Sequence, residues 1–253
     1  MRSAFLLTLL SAALVLAALA GESGTARADS TSSCGLDADG NGYTYAGHQS
    51  TYAGHGVRAT ITPTRALNVA AGHVAGWVGV GGPGQGVNGE DAWLQVGIAS
   101  LEGTKPFLYA EIARGGRQPQ FMLLEEGVRI GKSRHVAVLE ISGNPGWWQV
   151  WVDGSPATKP LRIEGSSGRW APIATAESWD GGKGACNRFA FRFERVSVSY
   201  GGGGSWRPFV SGYEFLDGGH RLQALATAPA ERGTYASAPS SKSPLPYAFV
   251  ASS

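Results

Sequence analysis

"VAGWVGV" (74–80) and "AWLQVGIA" (92–99) decide the fold. In an extended chain, residues two apart share a face. Leu94, Val96 and Ile98 therefore form one face of the second stretch, and Trp93 and Gln95 form the other. An aliphatic row calls for a core. An amide beside an indole on the opposite face calls for a groove that solvent can reach. The same reading applies to "FLYAEIA" (107–113), where Tyr109 and Glu111 share a face. In "PIATAESW" (172–179), Thr175, Glu177 and Trp179 share one. Three strands thus each carry a polar group flanked by an aromatic. As neighbours they would line one groove.

Similar segments recur at 57–62, 74–80, 120–124, 134–142, 147–152 and 189–199, separated by Gly, Pro, Asn and Asp turns. No stretch of helix length carries a 3.6-residue period. Glycine is abundant, at 38 residues, and the turns "SGNPG" and "VDGSP" bracket 147–152. The expected fold is all-β, an antiparallel β-sandwich, as one domain over residues 29–200. "GGGGS" (201–205) reads as a Gly-rich linker. Residues 206–253 read as a partly disordered C-terminal extension with room for one more strand in 206–225. "YAGH" occurs at 45–48 and again at 52–55, too few copies for a repeat architecture.

The chain opens with a charged Met1-Arg2, an apolar run over residues 4–20, and "ARA" at 26–28. This is the pattern of a secretory signal peptide spanning 1–28. The mature protein is then expected to be secreted, with no membrane attachment. Removing residues 1–28 takes away Arg2, Arg27 and Glu22, which leaves 19 basic against 18 acidic residues. So small a net charge, with no Lys/Arg cluster, argues against nucleic acid or an anionic membrane as partner. Cys34 and Cys186 have one possible pairing, and an oxidising compartment favours a disulfide between them. By loop entropy such a bridge contributes on the order of 4–5 kcal/mol, less any strain.

Several motifs lead nowhere. "DADGNG" (37–42) opens like a calcium loop, but position twelve is His48. "GVGGPGQG" (79–86) lacks the Lys-Ser/Thr of a phosphate loop. The histidines at 48, 55, 73, 135 and 220 show no zinc spacing, and no G-x-S-x-G occurs. No metal and no cofactor is expected.

The order "WVGVGG" (77–82), "LQVG" (94–97), "YAE" (109–111) and "AESW" (176–179) resembles the glutamic peptidases called eqolisins. The resemblance covers about residues 43–200. It implies a concanavalin A-like, jelly-roll-like sandwich of two bent antiparallel sheets. It also implies that Gln95 and Glu177 are the catalytic pair, that Trp77 lies in the substrate cleft, and that Glu111 stands near it. Trp93, Tyr109 and Trp179 join these as substrate-binding residues by their positions in the strands. Two departures stand out. The family has Asp where this chain has Gly81, and its Trp directly follows the Glu, whereas here Ser178 intervenes before Trp179. The implied partner is a polypeptide substrate, cleaved by a monomer. Two alternatives use the same residues: a lectin-like sandwich binding glycans or peptides, and a glycoside hydrolase with Glu111 and Glu177 as its carboxylate pair.

Overall fold

The computed structural model describes residues 42–209, 212–227 and 246–253. Sixteen strands and no helix occur among them. They are β1 (Tyr43–Ser50), β2 (Gly56–Pro63), β3 (His73–Gly82), β4 (Ala92–Leu101), β5 (Phe107–Ala113), β6 (Gln120–Glu125), β7 (Arg134–Glu140) and β8 (Trp147–Val152). Then come β9 (Ser155–Pro156), β10 (Leu161–Arg162), β11 (Pro172–Trp179), β12 (Ala190–Ser199), β13 (Trp206–Pro208), β14 (Gly212–Leu216), β15 (Arg221–Thr227) and β16 (Pro246–Ser252).

Two sheets form. One runs β14-β1-β11-β3-β4-β5-β6, and the other runs β10-β8-β7-β2-β12-β16-β15, with β13 on β12 and β9 on β8. The pairings are antiparallel throughout. The expected all-β sandwich is therefore the architecture found. Every strand read from the sequence is present within a residue or two of its expected bounds.

The period-2 pattern explains how the sheets meet. From the first sheet, Val74, Val78 and Val80 join Leu94, Val96, Ile98, Leu108 and Ile112 in the core. From the second come Val57, Ile61, Val138, Trp148, Phe191, Phe193 and Phe249. Burying a side chain of this size contributes about 1.5–3 kcal/mol. Trp148 stacks on Trp170 inside this layer at 6.3 Å. The opposite face of the first sheet carries a second apolar cluster, built on Ala75, Trp77, Ala99, Phe107, Tyr109 and Ile173.

The sequence reading needs two corrections. The described residues within 206–252 are not an appendage with one strand. β13, β15 and β16 belong to the second sheet, and β14 forms an edge of the first. "GGGGS" bridges a hairpin in which Ser199 pairs with Trp206, so it links two strands of one sheet. The two YAGH copies also differ. The first lies within β1, between β11 and β14, while the second lies in the connection to β2. The signal sequence over 1–28, Cys34 and the first five residues of "DADGNG" lie outside the described residues. No cysteine among the described residues is free.

Candidate active site

Small residues on β3 and β4 make the floor of a groove. Ala75 faces Ala99 across the strand pair, Trp77 faces Gly97, and Gly79 faces Gln95. A Cβ at Gly97 would come within 2.2 Å of the Gly76 carbonyl oxygen and 2.6 Å of Trp77 Cβ. Glycine at 97 thus lets Trp77 stand up from the sheet beside an open floor.

Aromatic rings make the walls. Tyr109 stacks on Phe121 with centroids 5.5 Å apart, and Phe107 packs edge-on against both. On the other side Tyr43 stacks on Trp179 at 5.8 Å and on Tyr45 at 6.2 Å. Tyr43, Phe107, Tyr109, Phe121 and Trp179 line a groove of about 1110 Å³, together with His73, Gln95, Glu111 and Glu177. Glu102, Lys105, Glu126 and Lys183 stand along the same groove.

Glu177 is only 3% exposed. Its Oε1 lies 2.7 Å from His73 Nε2, and its Oε2 accepts a hydrogen bond from Trp77 Nε1 at 3.1 Å. One donor on each oxygen fixes the plane of the carboxylate. Gln95 is 5% exposed, and its Nε2 donates to Tyr109 Oη at 3.1 Å. Glu111 faces Gln95 across β4 and β5, and its Oε1 accepts from Trp93 Nε1 at 2.9 Å.

The electrostatics follow from burial. Desolvation pushes the Glu111 carboxyl above its ordinary range; the Trp93 hydrogen bond opposes this, the Glu177 charge adds to it, and His73 opposes it. Burial, with the Glu177 charge second, also raises the Tyr43, Tyr45 and Tyr109 hydroxyls. These tyrosines are therefore neutral at ordinary pH.

All the residues expected from the sequence meet on this face. Gln95, Glu111, Glu177, Tyr109 and Trp179 line the groove, Trp77 bonds Glu177, and Trp93 bonds Glu111. The sequence reading missed His73, Tyr43, Tyr45, Phe107 and Phe121. The signal for His73 was present: it lies four residues before Trp77 and so shares its face. It also missed Asn187. This side chain is 6% exposed; its Oδ1 accepts from the Ala70 and Ala71 amides, and its Nδ2 reaches Ala71 O, Ser178 Oγ and Trp179 O. It joins the turn that leads into His73 to the end of the strand that carries Glu177.

Gly81, where the resembling family has Asp, has φ +83°, and a Cβ there would lie 2.4 Å from Ala92 O. The local backbone excludes a side chain at that position. No cluster of metal-ligating side chains occurs among the described residues.

No protein-family profile and no curated protein sequence matches the chain. Solved structures do match. One is SCP-B, a member of the eqolisin family of peptidases, in complex with the tripeptide Ala-Ile-His. It has 12% identity and a TM-score of 0.50 over 83% of this chain and 96% of that one. Another is scytalido-glutamic peptidase with a peptide-based transition-state analogue, with 16% identity and a TM-score of 0.49 over 68% of this chain and 86% of that one. At such identities the likeness is one of fold. The chain has the antiparallel β-sandwich fold of the eqolisin glutamic peptidases, carried on a sequence far from theirs.

Proposed function

We propose that this protein is an exported glutamic-type endopeptidase. The observation that carries the reading is the convergence of Glu177 and Gln95, from strands distant in sequence, on one aromatic groove. In this reading Glu177 removes a proton from water as the water attacks a peptide carbonyl. Gln95 has two amide protons, and only one is needed for Tyr109. The other is free to meet the oxyanion, and losing such a donor costs about 3–4 kcal/mol of barrier. Tyr43, Trp179, Tyr109 and Phe121 offer flat apolar surface to an extended peptide. The chemistry calls on water and side chains alone. Removal of residues 1–28 on export, a Cys34–Cys186 bridge and a monomeric enzyme complete the proposal.

The test is hydrolysis of denatured protein by the purified mature domain from about pH 2 to about pH 8. Glu177→Gln and Gln95→Ala are each expected to lose about 100-fold or more in kcat while keeping the fold. Full activity in both variants would refute the assignment.

Glycoside cleavage is a second reading, because Glu111 and Glu177 share the groove and the charge of one acts on the other. Release of reducing sugar from a polysaccharide panel, with no peptide cleavage, would favour it. Binding to the same glycans without turnover would indicate a lectin-like sandwich.

A further inference from the structure

His73 is the first residue of β3 and directly faces Trp179 in the register of β3 and β11. Its ring packs against Tyr43 at 5.9 Å and Trp179 at 5.6 Å. Those rings and the 2.7 Å contact with Glu177 hold it in place. Its side chain is nevertheless 21% exposed and lines the groove. A histidine serving only as a strut for a buried carboxylate has no need to face the groove. Here an imidazole touches both the proposed base and the space where substrate would lie.

We propose that His73 is a catalytic proton donor working with Glu177, an inference that rests on the peptidase reading. Glu177, as carboxylate, takes a proton from water while the water oxygen bonds to the carbonyl carbon and the C=O pair moves to oxygen. The tetrahedral oxyanion re-forms the carbonyl and the C–N bond breaks. The imidazolium of His73 gives its proton to the departing nitrogen, which leaves as a neutral amine. That proton leaves from Nδ1, because Nε2–H stays on Glu177 Oε1; Glu177, now a carboxylic acid, gives its proton to solvent water, and Nδ1 takes one back from solvent. One water is consumed, one acid and one amine are formed, and both side chains end as they began.

The division of labour has a physical basis. Glu177 accepts from Trp77 and His73, one donor on each oxygen, and keeps a lone pair on each oxygen to receive a proton from water. A second group relieves it of the delivery step. The titratable and charged groups around His73 are Glu177 on β11, Tyr43 on β1 and Glu111 on β5, with Glu102 and Lys183 along the groove.

The experiment compares wild type, Glu177→Gln, His73→Gln and His73→Gly on one peptide substrate across pH. Glutamine at 73 can still donate to Glu177 but cannot deliver a proton. His73→Gln is expected to lower kcat by about 100-fold, to leave KM within about twofold, and to remove the alkaline limb of the pH profile. Added imidazole is expected to restore activity to His73→Gly and not to Glu177→Gln. If Glu177→Gln is inactive while His73→Gln keeps the wild-type kcat and alkaline limb, the role of His73 is refuted and the peptidase reading stands. If the wild type cleaves no peptide, the peptidase reading falls and this inference with it. Circular dichroism of each variant shows that loss of rate is not loss of fold.

Discussion

Replacing Asn187 with Ala tests how the groove is held together. The side chain is buried and joins the turn before His73 to Ser178 and Trp179 at the end of the β3–β11 ladder. Removing it leaves the Ala70 and Ala71 amides without their acceptor, and the Ala71 and Trp179 carbonyls without their donor. A buried polar group left unsatisfied costs about 1–3 kcal/mol, and water entering the gap recovers part of the total, so the net loss is about 3–5 kcal/mol. In a domain of this size each kcal/mol moves the melting midpoint by about 2–4 °C, which gives a fall of about 6–20 °C. Asn187→Asp sharpens the test. It keeps an acceptor for the two amides but sets a carboxylate oxygen against two carbonyls. Its folded-state pKa is then raised, so its stability is present at low pH and lost as pH rises through that value. The assay is thermal unfolding followed by near-ultraviolet circular dichroism, which reads the aromatic walls. An Asn187→Ala midpoint within about 2 °C of wild type would refute the reasoning.

Two further predictions concern stability. Gly81 and Gly89 both have positive φ, but only at Gly81 would a Cβ meet backbone. Gly89→Ala is expected to cost about 1–2 kcal/mol from backbone conformation, and Gly81→Ala about 1–3 kcal/mol more; equal costs in chemical denaturation would show that the Ala92 contact is unimportant. Glu111 has a raised folded-state pKa, so its contribution is fully present below its unfolded value, near 4.5, and is lost as pH rises through the folded value. The stability of wild type relative to Glu111→Gln should therefore fall as pH rises from about 4, as measured by denaturant titration at each pH; a flat difference would refute the burial argument.

The sequence carried the fold because its central strands obey a period of two. Leu94, Val96 and Ile98 cannot be satisfied without a second sheet, and Gln95 and Trp93 then point the other way. That logic put Gln95, Glu111, Glu177 and Trp179 on one face before any pairing was known. It could not show that Glu177 meets His73, because alternation does not say that β3 pairs with β11. β1 was also hidden. "YTYAGHQS" lacks an aliphatic row, and it becomes a strand because β11 and β14 both pair with it. β14 and β15 were obscured for a related reason: much of their side-chain surface is exposed, so burial wrote little into their sequence. Asn187 carried no signal, since its value lies in two segments that approach only in the folded molecule.

The position of β16 bears on how this protein folds. It enters between β12 and β15, so Ala190–Phe193 remain without a partner on one side until Pro246–Ser252 arrive. That pairing carries a loop-closure cost, and β2, the partner on the other side of β12, is farther away in sequence still, so both flanks of β12 wait on distant chain. Until then the open flank of β12 exposes backbone amides and carbonyls alongside phenylalanines destined for the core, the kind of edge on which a second unfolded chain can dock. The concentration of unfolded chains during refolding, more than the stability of the finished sandwich, then sets how much of it is recovered.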